Sequence, residues 1–359
     1  MRAVARARWC PAAAVFTLGL WMLPGGANAQ QRLGQLTVPE TEDESSSLPW
    51  RGTSFTWSQS LNLNALSRGA QRTYNPTYAW TFILQPRWYL NKLTYLSLDQ
   101  RLALELTDSD TTLYPQRAML SDTVVGIDTQ YWQQKLPRLG ELDLLAGGGL
   151  VAPTSIASRA QTMVLAARLR TGAQLVFEHV LQGAAIGVQG LYTQRFLRSN
   201  VMEAEEPFPC LVGTQVQSCE FLGGLTNVRN VISTILTGTL ELTKDVALEL
   251  LVWLTWARGA DLAPYPVMSD TGFVMQLPDH GKHWRNDRYF VLGASWNVVD
   301  YLSLGLSVIN YFPERSPGTD VRAPGNPIDL LVGLSASLSF DKLYLATLGQ
   351  KPKDEPGQH

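Results

Sequence analysis

The amino-acid sequence predicts an all-β protein, a closed antiparallel transmembrane β-barrel of about 12 strands. Three observations predict it. Apolar and polar residues alternate with period two along most of the chain, short and long connections alternate, and aromatic residues gather near strand ends. The alternation is plainest over residues 94–106. One parity carries Leu96, Leu98, Leu102, Leu104 and Leu106, interrupted by Gln100; the other carries Tyr95, Ser97, Asp99, Arg101, Ala103 and Glu105. Successive side chains of a strand point to opposite faces, so one face is oily and the other charged. At about 3.3 Å per residue and a tilt near 45°, such a run crosses a lipid band of roughly 25 Å. A sheet in lipid must close on itself, because every backbone N–H and C=O needs a partner there.

The chain opens with Arg2, Arg6 and Arg8, an apolar core from Trp9 to Leu23, and Ala27-Asn28-Ala29. This is a secretory signal over residues 1–29, cut before Gln30. Residues 30–50 hold Glu40, Glu42, Asp43, Glu44 and three serines without periodicity, as expected of a disordered periplasmic leader. The barrel is expected over residues 51–345 and a polar tail over 346–359.

Strands are expected at 52–65 (Phe55, Trp57, Leu61 out; Ser54, Thr56, Ser58 in), 77–90 (Tyr78, Trp80, Phe82, Leu84 out) and 94–106. They continue at 122–132 (Val125, Ile127, Tyr131 out), 141–151 (Leu142, Leu144, Leu150 out) and 162–178, where Met163, Leu165, Ala167 and Leu169 share the outer phase. A helix over 155–170 is the alternative reading there. The remaining strands fall at 184–197, 231–243, 246–258 (Leu248, Leu250, Val252, Leu254 out), 287–298, 301–311 and 328–341.

Asn91-Lys92, Gln182-Gly183, Lys244-Asp245 and Asp300 are tight turns. The connections at 67–76, 107–121, 153–161, 198–230, 259–286 and 312–327 are long and rich in Pro, Gly, Asp and Arg. Short periplasmic turns and long extracellular loops are the outer-membrane pattern, and an even strand count keeps both termini periplasmic. The connection at 133–140 is longer than this scheme expects. Trp88, Tyr89, Tyr95, Tyr131, Trp132, Trp296 and Tyr301 mark the periplasmic interface; Tyr78, Trp256, Phe290 and Tyr311 mark the other rim.

Charged residues are 17% of the chain, below the usual ~25%. Loss of the signal takes the formal net charge from −2 to about −5, with no basic patch, which speaks against a nucleic-acid partner. No run of about 18 apolar residues follows the signal, so no transmembrane helix is expected. Cys10 leaves with the signal. Cys210 and Cys219 remain, and in an oxidising compartment they are expected to form one disulfide in an extracellular loop.

The chain from about residue 52 to 341 resembles bacterial outer-membrane β-barrel proteins of the porin-like class. The last strand, LVGLSASLSF, is similar to their C-terminal assembly signal, with alternating apolar residues ending in an aromatic, here Phe340. The resemblance implies a cell outer-membrane location, contact with outer-membrane lipid, insertion by the barrel-assembly machinery, and a monomer. Some members are hydrolases with a Ser-His pair on the outer face. Here His179, His280, His283 and His359 lack a serine at matching spacing, so no catalytic residue is assigned and the protein is not expected to be an enzyme.

Asp279-His280-Gly281-Lys282-His283 is the one ligand-rich cluster, but Lys282 stands between the histidines and no further ligand is fixed, so no metal or other cofactor is expected. Gly147-Gly148-Gly149 lacks the lysine and helix of a phosphate loop and marks a strand kink or a close backbone approach. The inward phase collects Arg87, Asp99, Arg101, Glu105, Asp128, Asp143, Arg168, Arg170, Arg195, Glu241 and Glu249. Charges of both signs facing water form a pathway for small hydrophilic solutes; the other reading is an ion-pair network that fills a narrow lumen. Leu251 and Trp253 also face inward and favour a constriction. The expected function is passive solute passage, with a non-conducting barrel carrying ligand-binding or structural loops as the alternative and an outer-membrane hydrolase third.

Overall fold

The computed structural model describes residues 48–62, 77–107, 118–137, 140–177, 180–200, 208–212, 215–219, 227–259, 266–268, 274–276, 284–313 and 330–348. The strands are β1 (Ser54–Asn62), β2 (Tyr78–Gln85), β3 (Arg87–Tyr89), β4 (Thr94–Glu105), β5 (Ala118–Leu120), β6 (Thr123–Leu136), β7 (Gly140–Ala152), β8 (Met163–Phe177) and β9 (Gly183–Leu197). They continue with β10 (Phe208–Val212), β11 (Gln215–Cys219), β12 (Val228–Glu241), β13 (Val246–Gly259), β14 (Pro266–Met268), β15 (Val274–Gln276), β16 (Trp284–Val299), β17 (Leu302–Pro313) and β18 (Leu330–Ser339). Two helices are described, α1 (Ile156–Ala160) and α2 (Phe340–Thr347).

Pairing runs from β1 through β2 and β3, then β4, β6, β7, β8, β9, β12, β13, β16, β17 and β18, and returns to β1, with Ser54 opposite Ser339 and Asn62 opposite Leu331. Every pairing is antiparallel, and β2 and β3 together occupy one place against β4. The result is a closed barrel of 12 strands. Closure follows from the alternation: only a sheet without edges can present an apolar face to lipid with all its backbone groups paired. β5 extends the β4 ladder, while β10–β11 and β14–β15 are hairpins outside the barrel sheet.

The burial pattern sets the faces. Leu84, Leu102, Val125, Ile127, Leu150, Leu169, Ile186, Leu250, Leu292, Leu304 and Leu334 are exposed, while Thr56, Ser58, Ile83, Glu105, Asp143, Glu249 and Ser307 are buried. The outer face is thus built of large apolar side chains, while the inner face carries nearly all the buried polar ones together with some apolar ones, the inverse of a water-soluble protein. Connections at 90–93, 242–245 and 300–301 gather at one end with both ends of the barrel chain.

Several elements differ from the sequence expectation, each for a local reason. The second strand breaks at Pro86, which has no N–H to give the ladder. The helix alternative over 155–170 shrinks to α1, capped by Ser155, whose hydroxyl accepts the Ser158 N–H at 3.0 Å. Met163 is buried instead of outward, because a bulge between Met163 and Leu165 shifts the phase and exposes Val164. The connection at 133–140 is short after all: β6 runs on to Leu136, opposite Gly140, whose φ of +123° suits glycine alone. Tyr95, beside the first tight turn, lies on the inward face that its parity with Ser97 and Asp99 predicts.

The last strand ends at Ser339, and Phe340 starts α2 although its N–H still donates to Thr53 O at 3.0 Å. Asp341, nearly fully buried, accepts the Gly52 N–H and the Ser339 hydroxyl, each at 3.0 Å. Trp50 and Tyr344 meet edge to face at 5.7 Å. The helix thus ties the last strand to the start of the first at the periplasmic rim.

Candidate functional site in the lumen

The lumen has two unlike walls. One side, built by β9, β12, β13, β16 and β17, carries Leu191, Ile235, Leu251, Trp253, Tyr289, Val291 and Ile309, all buried, with Leu331 packed on them. The Trp253 and Tyr289 rings lie 6.0 Å apart. These residues take the inward phase of their strands, among buried polar residues such as Ser233, Thr237, Thr255 and Ser307. Burying an aliphatic or aromatic side chain contributes roughly 1.5–3 kcal/mol, so this wall holds itself shut against water.

The other wall, from β3 to β8, is charged. A cavity there is lined by Arg87, Tyr95, Ser97, Asp99, Asp128, Arg168 and Arg170, with Gly126, Gly148 and Gly149 and with Leu191. Arg101 grips Asp99 through Nε at 2.8 Å and Nη2 at 2.7 Å, a bidentate pair, and Asp99 also accepts Gln85 Nε2 at 3.1 Å. Arg170 pairs with Asp128, which accepts the Ser97 hydroxyl at 3.3 Å.

The glycines explain this room. Gly126 and Gly149 are opposite each other in register, as are Asp128 and Gly147. A Cβ on Gly147 would stand 2.0 Å from Asp128 Oδ1, so the carboxylate occupies the space a side chain would take. Gly149 is equally closed, with Val125 O at 2.6 Å from where its Cβ would be. Bare backbone on the inner face lets the arginines of β8 lie across it.

The remaining sequence-selected residues sit above and below. Glu105, at the extracellular end of β4, accepts the Thr107 hydroxyl at 3.3 Å. Arg195 donates to Gln161 Oε1 at 2.7 Å, which draws the α1 connection over the lumen. Asp122 reinforces this: it accepts the Ser155 N–H at 3.1 Å and the Ser158 hydroxyl. Toward the periplasmic side, Asp143 accepts Gln130 Nε2 at 2.7 Å, Glu249 accepts the Ser295 hydroxyl at 2.8 Å, and Glu241 lies beside Gly183. Arg101, Arg168, Arg170 and Arg195 thus occupy the middle and outer lumen, and Arg87, beside Gly52 and Thr53, shares the periplasmic end with Asp143, Glu241 and Glu249.

Sequence reasoning missed Asp122, Gln161 and Gln85 as inner-wall residues, and five of the seven apolar ones. Asp122 had a signal, a lone acid beside a strand start, and the apolar residues had one in their parity, which Leu191 shares with Arg195 and Ile235 with Glu241. In the β10–β11 hairpin, Cys219 is opposite Phe208 and Cys210 opposite Gln217, so the cysteines are diagonal in register. His179, His280, His283 and His359 lie outside the described residues, as does the cluster at 279–283. Among the described residues no group of three or more His, Cys, Asp or Glu could hold a metal ion.

Fold and lumen define a closed transmembrane β-barrel of the bacterial outer-membrane kind. No protein-family model matches the chain, and no curated protein does. Among solved structures, the chain is similar to the COG4313 outer membrane channel from Pseudomonas putida F1, at 12% identity and TM-score 0.46 over 84% of this chain and 99% of that one. It is also similar to the NanC porin (10%, TM-score 0.37) and the KdgM porin (7%, TM-score 0.37), each over 80% of this chain and 99% of the other. Likenesses this distant add nothing to the geometry described above.

Proposed function

We propose that the protein is a passive channel of the cell outer membrane, in which small hydrophilic solutes pass along the charged wall of the lumen. The observation that carries this reading is the cavity between β3 and β8, lined by three guanidinium groups and two carboxylates on a backbone stripped of side chains. Two ion pairs, Arg101–Asp99 and Arg170–Asp128, hold the wall, and open space remains beside them. Arg87, Asp99, Arg101, Asp128, Arg168 and Arg170 line the constriction, Glu105 and Arg195 the outer approach, and Asp143, Glu241 and Glu249 the inner exit. The chain is exported with its signal removed, inserted by the assembly machinery, and works as a monomer. In the same reading Cys210 and Cys219 are joined, so unreduced, denatured protein should show no free thiol.

Reconstitution of the purified full chain in a planar bilayer tests the proposal. Discrete single-channel currents are expected. Their absence, with the barrel shown folded, would favour a second reading that one observation supports: the seven-residue apolar wall at 0–8% exposure closes half the lumen, as a non-conducting barrel would require.

A further inference from the structure

Arg168 differs from its neighbours. Arg101 and Arg170 each hold an aspartate. The Arg168 Nε is buried without a hydrogen-bond partner, and among the described residues no carboxylate is within ion-pair distance of this side chain. Nearby charges reach it from Asp99 and Asp122, but Arg101 and Arg170 oppose them. A buried guanidinium donor left without an acceptor costs free energy that a bound anion would return.

The surroundings specify more than charge. With Arg101 counted on Asp99, four guanidiniums face two carboxylates, and the cavity is left with an excess of positive charge. Arg168 is opposite Gly149 on one side and Thr193 on the other. Leu191, opposite Arg170, is diagonal to Arg168, a separation of roughly 7–8 Å between backbones. Leu191 belongs both to this cavity and to the apolar wall. A ligand reaching from Arg168 to Leu191 thus meets a free guanidinium at one end and hydrocarbon at the other, over about the length of an aromatic carboxylate.

We infer that the lumen holds a binding site for a small organic anion with an apolar body, its carboxylate on Arg168 and its body against Leu191. This rests on the passage reading, since such a site lies on the proposed path and sets which solutes use it. The guanidinium fork accepts a carboxylate through two parallel hydrogen bonds, which a lysine ammonium cannot reproduce.

The test titrates the purified full chain in detergent with para-fluorobenzoate, followed by fluorine NMR, beside para-fluorobenzamide and acetate. Saturable binding of the benzoate is expected, with the amide and acetate each much weaker. Arg168→Gln should weaken benzoate by roughly 10- to 100-fold, the equivalent of a hydrogen bond to a charged group, and Arg168→Lys should recover part of it. Heat-modifiability on gels confirms that both variants are folded. Equal binding of acetate would overturn the apolar half of the inference, equal binding of the amide would overturn the anionic half, and unchanged binding to folded Arg168→Gln would overturn the assignment to Arg168. Current without benzoate binding would reject the site and keep the channel; binding without current would keep the site and reject the channel.

Discussion

Arginine placed at two depths on the outer face of β16 tests whether that face lies in lipid. Leu292 stands near the middle of the strand, exposed, opposite Leu250 and Val308. Trp296, also exposed, lies toward the periplasmic end. At about 3.3 Å per residue and a tilt near 40°, each residue rises about 2.5 Å along the membrane normal, so Trp296 is about 10 Å nearer the periplasmic interface. The hydrocarbon half-thickness is about 12 Å, which puts Leu292 close to the midplane and Trp296 at the headgroups. Leu292→Arg should cost about 2–4 kcal/mol, a roughly 30- to 900-fold loss in the folding constant, and Trp296→Arg about 0–1 kcal/mol. Denaturant unfolding in lipid vesicles, followed by intrinsic fluorescence and gel shift, measures both. Equal costs at the two depths, or no cost at Leu292, would refute the placement of this face in hydrocarbon.

Three further outcomes are expected. Gly147→Ala should push the Asp128 carboxylate off Arg170 and shift reversal potentials toward anions, because the added Cβ would stand 2.0 Å from Asp128 Oδ1; unchanged selectivity would show that the pair survives. Asp128→Asn should lower stability by about 1–3 kcal/mol, less than a dry ion pair, because the Arg170 and Asp128 side chains keep 28% and 15% exposure; thermal unfolding measures it, and a neutral result would mean the pair is solvated. Asp341→Ala should leave the Gly52 N–H without its partner and cost about 1–3 kcal/mol, read as earlier loss of heat-modifiability and faster proteolysis of α2; an unaltered melting profile would detach α2 from barrel stability.

What could be read from the sequence follows from the range of the signal. In β4 the two parities differ in chemistry, so strand, phase and inward charges were all legible. In β13 both parities are apolar from Leu248 to Trp256, and the inward phase was set by Glu249 alone. That phase placed Leu251 and Trp253 correctly, and Glu241 sets the same inward parity for Ile235 as Ser307 does for Ile309; what no single strand contains is that these residues, with Tyr289 and Val291, gather on one side of the lumen. The purpose of Gly147 and Gly149 depends on register with β6, a non-local fact that no window along the chain contains. The bulge at Met163 and the short helix α1 arise where the chain turns over the outer mouth, and hydrogen bonds to Asp122 and Arg195, distant in sequence, decide both.

The central claim is that water follows the charged wall and not the apolar one. Cysteine accessibility measured through the channel current tests it most directly. In a background with Cys210→Ser and Cys219→Ser, Ser97→Cys places a thiol on the cavity wall and Ile235→Cys places one in the apolar wall. A small charged methanethiosulfonate reagent should reduce the current of the Ser97→Cys channel promptly and leave the Ile235→Cys channel unaffected. Rapid modification at Ile235→Cys with none at Ser97→Cys would contradict the account.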